Sequence, residues 1–396
     1  MRFKYILAFT LLSVHLHGAN LAEILIKLED SKRYQAIEYE ADAGILQSDA
    51  SSSYIAPEIS LGVSHAKDAL QSDVGYSVAL SQNIMQPFSV GSKRSANEYA
   101  KRSMRQEAKH KKHLLRLDVA YKYHKSCLYQ SMKEEMQRLY EEEKSGFTRL
   151  QKSYEAGEIS KKELLFFELE LVKLHQEQIS LESASAFAYS LLQESVVLAE
   201  GEVLACDDLV ELKSEMNFGV LDEHSEVLRS EYDIRSAAAS YESAQAAIES
   251  LSYEIYYSKE LDTTVSGLSL SIPIIPLTSK NSLEAQSKRS RVMQLQAQKE
   301  LLKHQIMKQE QKRLEQIRGL YGSIEITQKE VIPLAQKLME ISKRALQEGE
   351  ASVIEHLDAT RSYKRAKLEL LGLQESYYYE LFELYKEADI ELGEER

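Results

Sequence analysis

The sequence predicts a mainly α-helical protein with a small β part, in which long antiparallel helical hairpins are combined with four β-strands. The whole pattern occurs twice. The skeleton G-E-x-S-x-x-E-x-L at Gly157 recurs at Gly349, and the alternating segment around Val78 recurs around Leu268 with nearly the same offset. The chain of 396 residues contains only 5 Pro and 15 Gly, which disfavours a loop-rich or all-β protein. Two copies of so large a unit indicate a tandem repeat rather than a solenoid.

The first residues predict export. Met1 to Ala19 has a basic start, a mostly apolar centre and small residues at its end, which is the pattern of a secretory signal peptide, with a buried N-terminal helix as the alternative. This run is too short to span a bilayer, and no later run of about 18 apolar residues follows. We therefore assign residues 1–19 to a signal peptide, 20–210 to a first repeat and 211–396 to a second.

Charge and motifs disfavour several functions. The net charge is −13, so the chain lacks the basic stripe of a nucleic-acid-binding protein. It contains no phosphate-binding loop, nucleophile elbow, zinc-protease motif or C-x-x-C pair, so we expect neither enzyme activity nor a cofactor. His110 and His113 stand three apart and could share a metal, but a solvated helix face is the favoured interpretation. Cys127 and Cys206 are distant in sequence, and we expect both to be free thiols.

Four segments alternate apolar residues with small or polar ones and are predicted to be strands: 59–63, 75–84, 252–258 and 268–274. Strands of about ten residues with one apolar face suit a transmembrane β-barrel, although a small soluble sheet packed on one face has the same pattern. Membrane barrels need about eight strands or more, and open edges are not tolerated in lipid. The missing strands must then come from other copies, eight strands in a dimer or twelve in a trimer.

Two long helical runs, 90–153 and 282–345, follow the predicted strand pairs. At 1.5 Å per residue the first would be roughly 90 Å long, so it must fold back as an antiparallel hairpin. In the second run, apolar residues at heptad spacing predict coiled-coil packing. The two rows of this seam are Ile317, Ile324, Val331, Leu338 and Ala345, and Leu320, Thr327, Leu334 and Ile341.

The repeated skeleton predicts two hairpin tips. A glycine just past a helix end is a common cap, and a serine followed three residues later by a glutamate forms a capping box that begins the return helix. The tip residues are Gly157, Glu158, Ser160 and Glu163 in the first repeat, and Gly349, Glu350, Ser352 and Glu355 in the second.

The order of these elements resembles the TolC family of outer-membrane efflux proteins. The most specific segment is VIEHLDATRSY at Val353–Tyr363, which is similar to the second-hairpin signature of the family, and VIPLA at Val331–Ala335 is similar to a segment just upstream. The resemblance covers essentially the whole mature chain. It implies a homotrimer with a 12-stranded barrel in the lipid of the outer membrane and a coiled-coil α-barrel through the periplasm. The implied partners are a periplasmic adaptor and an inner-membrane pump.

The resemblance also implies site residues. Glu355 and Asp358 match acidic positions at the periplasmic entrance of the family. Glu355 is also part of the capping box that begins the return helix. Leu346 and Ala351 stand where some members have the Tyr and Arg that tie the entrance shut, so the closing interactions here must differ. The candidate adaptor contacts are Gly157, Glu158, Ser160, Gly349, Glu350 and Ser352. Pro333 removes a backbone donor in mid-helix and is a candidate hinge, or a static bend.

The function implied is a passive duct for drugs or metal cations handed over by the pump. A duct for type I protein secretion would share this architecture. A soluble periplasmic coiled-coil scaffold or adaptor belongs to a different class, and the four amphipathic strands argue against it, because such a protein has no use for an apolar outer belt.

Overall fold

The computed structural model describes residues 18–53, 56–67, 72–85, 87–198, 202–207, 209–215, 221–245, 250–260, 263–272 and 280–392. All but the end of the predicted signal peptide lies outside these residues. The elements are α1 (Leu21–Glu29), α2 (Lys32–Ser52), β1 (Glu58–Lys67), β2 (Ser72–Met85), α3 (Pro87–Glu155), α4 (Lys161–Gln193), a 3₁₀ turn (Leu221–Glu223), α5 (Ser225–Ala244), β3 (Ser250–Glu260), β4 (Thr263–Ser271), α6 (Lys280–Ile326), a π-helical turn (Thr327–Val331), α7 (Ile332–Glu348) and α8 (Val353–Glu387).

The four predicted strands form one antiparallel sheet in the order β1-β2-β3-β4. Its register aligns the apolar positions, since Ile59 faces Leu80, Leu80 faces Ile255 and Ile255 faces Leu268. All four of these side chains are exposed, Leu268 to 71%. The next row, on the other face, is Ser60, Ala79, Tyr256 and Gly267. The sheet thus has one apolar face, and that face is exposed in the single chain.

The segment before the first strand forms two helices, α1 and α2. Asn20 and Glu23 form a capping box that begins α1, and the Ser31 hydroxyl accepts a hydrogen bond from the Tyr34 amide to begin α2. The second cap explains the break, because a serine with extended backbone interrupts the helix between the two segments. Ile24 and Leu28 of α1 are fully buried against α3.

Four hydrophobic clusters lie along the long helices. The first packs α1 on α3 around Tyr123, the second joins α3, α6 and α8 around Phe382, the third joins both hairpins around Met136 and Tyr363, and the fourth lies near the tips around Phe167. None of the helices in the described part of the chain is both long and apolar enough to cross a membrane.

The expectation of free cysteines is wrong. Cys127 on α3 forms a disulfide with Cys206 in the segment that follows α4, with their Cα atoms 5.5 Å apart. The sequence separation of 79 residues concealed the pairing, because α4 runs back along α3 and returns the chain to the level of Cys127. The Tyr123 hydroxyl, one turn away, donates a hydrogen bond to the Ala205 carbonyl and holds the same segment.

The predicted heptad seam is correct only in its first half. Ile317 and Ile324 are buried, but Leu338 is 53% exposed. The cause is the π-helical turn, in which the Ile332 amide donates to the Thr327 carbonyl. A π turn adds one residue to the helical repeat, so the buried row continues at Ile332 instead of Val331. Beyond the turn, the residues predicted to be buried form an exposed apolar stripe.

This shift predicts opposite results for two substitutions on the same helical run. Ile324→Asp places a charge in a closed core and should destabilise the chain by at least about 3 kcal/mol. Leu338→Asp should change the stability of the single chain by less than about 0.5 kcal/mol, because the residue is exposed there, and should act on assembly instead. Thermal melting of the purified, dissociated chains checks both. Equal losses would mean that the heptad continues unbroken through the π turn.

Candidate functional site

The two hairpin tips form as the repeated skeleton predicts. Gly157 and Gly349 both have φ of 76°, a left-handed conformation that favours glycine. Next to them, the Glu158 amide donates to the Ser153 carbonyl at 2.9 Å and the Glu350 amide to the Ala345 carbonyl at 2.8 Å. These bonds close both helices with the same motif.

The return helices begin with the two predicted capping boxes. The Ser160 hydroxyl accepts from the Glu163 amide, and the Ser352 hydroxyl accepts from the Glu355 amide, while each carboxylate accepts from the amide of its serine. Both tips are largely exposed to solvent. Their shape is therefore fixed by local hydrogen bonds and does not depend on contacts with the rest of the chain.

The two candidate entrance carboxylates differ in their surroundings. Glu355 is exposed and accepts from the Ser352 amide at 2.9 Å. Asp358 is exposed too, but it is paired with Arg361 at 2.8 Å. Arg361 also contacts Glu170 of α4 at 2.6 Å, and hydrogen bonds from this guanidinium lower the pKa of Glu170 to about 2. Asp358 thus belongs to a chain of charges that crosses from α8 to α4.

Sequence reasoning missed a buried polar cluster just above the second tip. His356 and Glu143 are both buried, and the His356 Nε2 atom lies 3.3 Å from the Glu143 carboxylate. The Thr360 hydroxyl lies 3.5 Å from the other carboxylate oxygen, and Ser342 of α7 lies 3.2 Å from His356 Nδ1. The cluster therefore joins α3, α7 and α8. A lone histidine in the VIEHL segment gave no signal of it, because its partner lies in the first repeat.

Hydrogen bonds hold both ring nitrogens of His356. The Ser342 hydroxyl donates to the Met339 carbonyl at 2.9 Å, and its oxygen lies at hydrogen-bond distance from His356 Nδ1. His356 Nε2 faces a carboxylate oxygen of Glu143. The ring is therefore fixed from both sides by oxygen atoms of α7 and α3. Phe167 of α4 stacks on the ring at 6.3 Å and closes the site.

The positions of the family's Tyr and Arg are filled differently. Leu346 packs against a buried cluster that includes Phe167, Val353 and Leu357, and Ala351 is partly buried in the tip. Neither side chain can donate a hydrogen bond. The charged contacts between the two hairpins near the tips instead include Arg361 with Glu170, Lys364 with Glu177 and Lys343 with Glu142.

Pro333 lies at the start of α7, directly after the π-helical turn. Proline cannot donate to the carbonyl one turn back, and the longer hydrogen-bonded loop of the π turn accommodates that missing bond. The turn marks the place where the buried face of the helix changes. A hinge at this point remains a proposal.

The histidine pair on α3 is not a solvated face. His110 and His113 are mostly buried and lie 3.4 Å and 3.9 Å from the Asp389 carboxylate, which also accepts from the Ser225 amide. Burial lowers the pKa of His113. Among the described residues, no group of three or more His, Cys, Asp or Glu side chains is arranged to hold a metal ion. The pair fastens the chain end to α3.

Comparison with known structures defines the class of fold. The chain is similar to CusC, which has been studied for its folding and transmembrane channel formation, with a TM-score of 0.77, 16% identity, 93% of this chain and 91% of that chain covered. It is similar to the open state of the MtrE outer membrane channel of Neisseria gonorrhoeae, with a TM-score of 0.77, 16% identity, 93% of this chain and 88% of that chain covered.

A third similar structure is the outer membrane protein VceC of Vibrio cholerae, with a TM-score of 0.74, 13% identity, 93% of this chain and 95% of that chain covered. No protein-family model matches the sequence, and no curated protein matches it. The chain has the fold of the outer-membrane channel proteins, and the predicted TolC-like architecture of helical hairpins with a four-stranded sheet is confirmed.

The buried cluster predicts different effects for two neighbouring carboxylates. Glu143→Gln alters the buried carboxylate that faces both His356 and Thr360 and should destabilise the second tip by about 1–3 kcal/mol, because a buried polar group loses a matched hydrogen-bond partner. Glu142→Gln is the matched control, since Glu142 is exposed and pairs with the surface residue Lys343. Hydrogen exchange of the amides in 353–363 measures the effect. Equal protection in both variants would show that the buried contact of Glu143 does not stabilise the tip.

Proposed function

We propose that this protein is the outer-membrane channel of a tripartite export system, a passive duct for substrates handed over by an inner-membrane pump and a periplasmic adaptor. The fold it shares with outer-membrane channels supports this proposal. The chain itself is not an enzyme in this proposal and needs no cofactor. It would reside in the outer membrane of a Gram-negative bacterium, with its helices in the periplasm.

The observation that carries the proposal is the sheet. Its apolar face is exposed along all four strands, and β1 and β4 are edges without a further strand in the described part of the chain. Such a face in water would be a large aggregation hazard, and such edges in lipid would leave backbone groups unsatisfied. Three copies would supply twelve strands and remove both problems by closing a barrel. A soluble scaffold offers no reason for this face.

The helices support closure with further copies as well. Within one chain, α3 lies between α4 and α8, and α8 packs on α7, so α4 and α7 are the outer helices of the layer. Each has an exposed apolar stripe at heptad spacing that nothing in the described chain covers. The stripes are Leu334, Leu338 and Ile341 on α7, and Leu165, Leu169 and Val172 on α4. We propose that α7 of one copy packs on α4 of the next.

The tips complete the duct. In a trimer, Glu355 and Asp358 of three chains would form two rings of carboxylates at the periplasmic entrance, and such rings favour cations. The exposed tips at Gly157 and Gly349, with Glu158, Ser160, Glu350 and Ser352, are the proposed adaptor contacts. Their rigid shape supports this role, because a preformed surface loses little entropy on binding.

The experiment that tests assembly is native mass spectrometry of the detergent-purified protein. We expect a trimer, together with ion conduction after reconstitution in a planar bilayer. Leu338→Asp should lower the trimer fraction at least ten-fold, because it places a charge in the proposed contact. Glu340→Gln, at an exposed position off the stripe, is the control. A stable monomer with the β-signal of a formed sheet would refute the proposal.

Single-channel recording tests the entrance. Glu355→Gln combined with Asp358→Asn should lower cation selectivity several-fold and weaken block by multivalent cations, because up to six carboxylates leave the proposed rings. Trimer yield should stay normal, since Arg361 keeps its contact with Glu170. Glu340→Gln with Glu369→Gln removes the same charge elsewhere on the second hairpin and serves as control. If both double variants conduct alike, the two carboxylates are tip residues only.

A further inference from the structure

The beginnings of both long helices that follow the strands are basic, although the chain as a whole is acidic with a net charge of −13. Arg94 lies in the second turn of α3, and Lys288, Arg289 and Arg291 lie in the third and fourth turns of α6. All four side chains are exposed. We call these four residues the basic collar.

The four members of the basic collar have no counter-charge among the described residues. Other lysines and arginines of the same helices are paired, as Lys101 is with Asp49 and Arg116 with Glu29. No member of the basic collar forms an ion pair with any described residue, and Arg291 donates only to the neutral Gln294 side chain. The collar is therefore a set of free positive charges at one end of the helical layer.

Contacts to α5 place the four residues at one height. The Ser236 hydroxyl of α5 donates to the Ala96 carbonyl of α3 at 2.9 Å, and Lys299 of α6 contacts Glu231 of α5 at 2.6 Å. Both pairs of helices are antiparallel, so following α3 and α6 back toward their starts leads to the last two turns of α5. Arg94 and the three α6 residues are therefore level with the end of α5, shortly before β3 begins.

This height is close to the apolar sheet. α3 begins at Pro87 directly after β2 ends at Met85, so Arg94 lies about 10 Å from the strand end. The headgroup layer on each side of a bilayer is roughly 5–8 Å thick, and a long basic side chain reaches back toward it. If the sheet spans the hydrocarbon, as the proposed function requires, the basic collar lies at the periplasmic headgroups.

We propose that the basic collar binds the phosphate of anionic phospholipids in the periplasmic leaflet of the outer membrane. Guanidinium and ammonium groups are the donors that suit a phosphate, and basic residues next to a membrane segment attract anionic headgroups. The inference rests on the proposed membrane location of the sheet. It assigns the collar a positioning role, in which the charges hold the barrel at a fixed depth and orientation.

Melting of the full-length protein in nanodiscs tests the proposal. In discs of phosphatidylcholine, adding phosphatidylglycerol should raise the melting temperature of the wild type, and raised salt should reduce this increment. R94Q/K288Q/R289Q/R291Q should lose most of the increment. The matched control R102Q/R105Q/K308Q/K312Q removes four exposed charges of the same helices farther from the sheet, more than about 20 Å along them, and should keep the increment. The conservative variant R94K/R289K/R291K should keep it too.

Several results would overturn the proposal. An increment that survives in the collar variant, or that falls equally in the control, would show that these charges do not bind the lipid. A similar rise with inorganic phosphate at equal phosphate concentration would identify a free anion as the ligand instead. A trimer that enters discs and conducts in a planar bilayer, but whose melting does not respond to phosphatidylglycerol, refutes only the basic collar. Failure to form a trimer that conducts in a planar bilayer refutes the proposed function as well.

Discussion

The backbone hydrogen bonds of a four-stranded sheet are the constraint on which the rest of this structure depends. The interior strands β2 and β3 are hydrogen-bonded on both sides, whereas β1 and β4 each have one side without a partner strand in the described chain. The apolar face, which includes Leu61 and Leu270, is exposed in one chain. The other large features are consistent with pairing of these edges and burial of this face by further copies of the chain. The tandem repeat supplies two hairpins of strands and two of helices with the same order, so one symmetric packing of copies can close the strands and the helices together.

The parts that the sequence predicts are those set by local chemistry. Strand alternation gives the two faces of the sheet, and a glycine followed by a serine and a glutamate gives each tip, because caps and turns act within a few residues. The predicted heptad seam is not buried beyond the π turn, because one π turn changes the helical period. No residue preference in Thr327–Val331 predicts such a turn. The partners of His356 and Cys127 were missed for another reason, since pairing across the fold depends on how helices align after they turn back.

The entrance shows how a shared architecture can be closed by different side chains. The side chains of Leu346 and Ala351 cannot donate hydrogen bonds, yet the two hairpins are still joined by polar contacts, through Arg361 with Glu170 near the surface and His356 with Glu143 inside. The buried contact is the more demanding of the two, because each polar group there depends on its partner for a hydrogen bond.

The disulfide closes a loop that does not involve the second helical hairpin. The loop runs from Cys127 to Cys206 and lies within the predicted first repeat, so it can close before the second repeat has folded. The same short segment pairs with Ala19, at the predicted end of the signal peptide, through hydrogen bonds at Val203 and Ala205. The disulfide therefore ties the segment that pairs with Ala19 to α3. Because disulfides form in oxidising compartments, folding of this chain depends on such a compartment, a dependence that a chain without the two cysteines would not share.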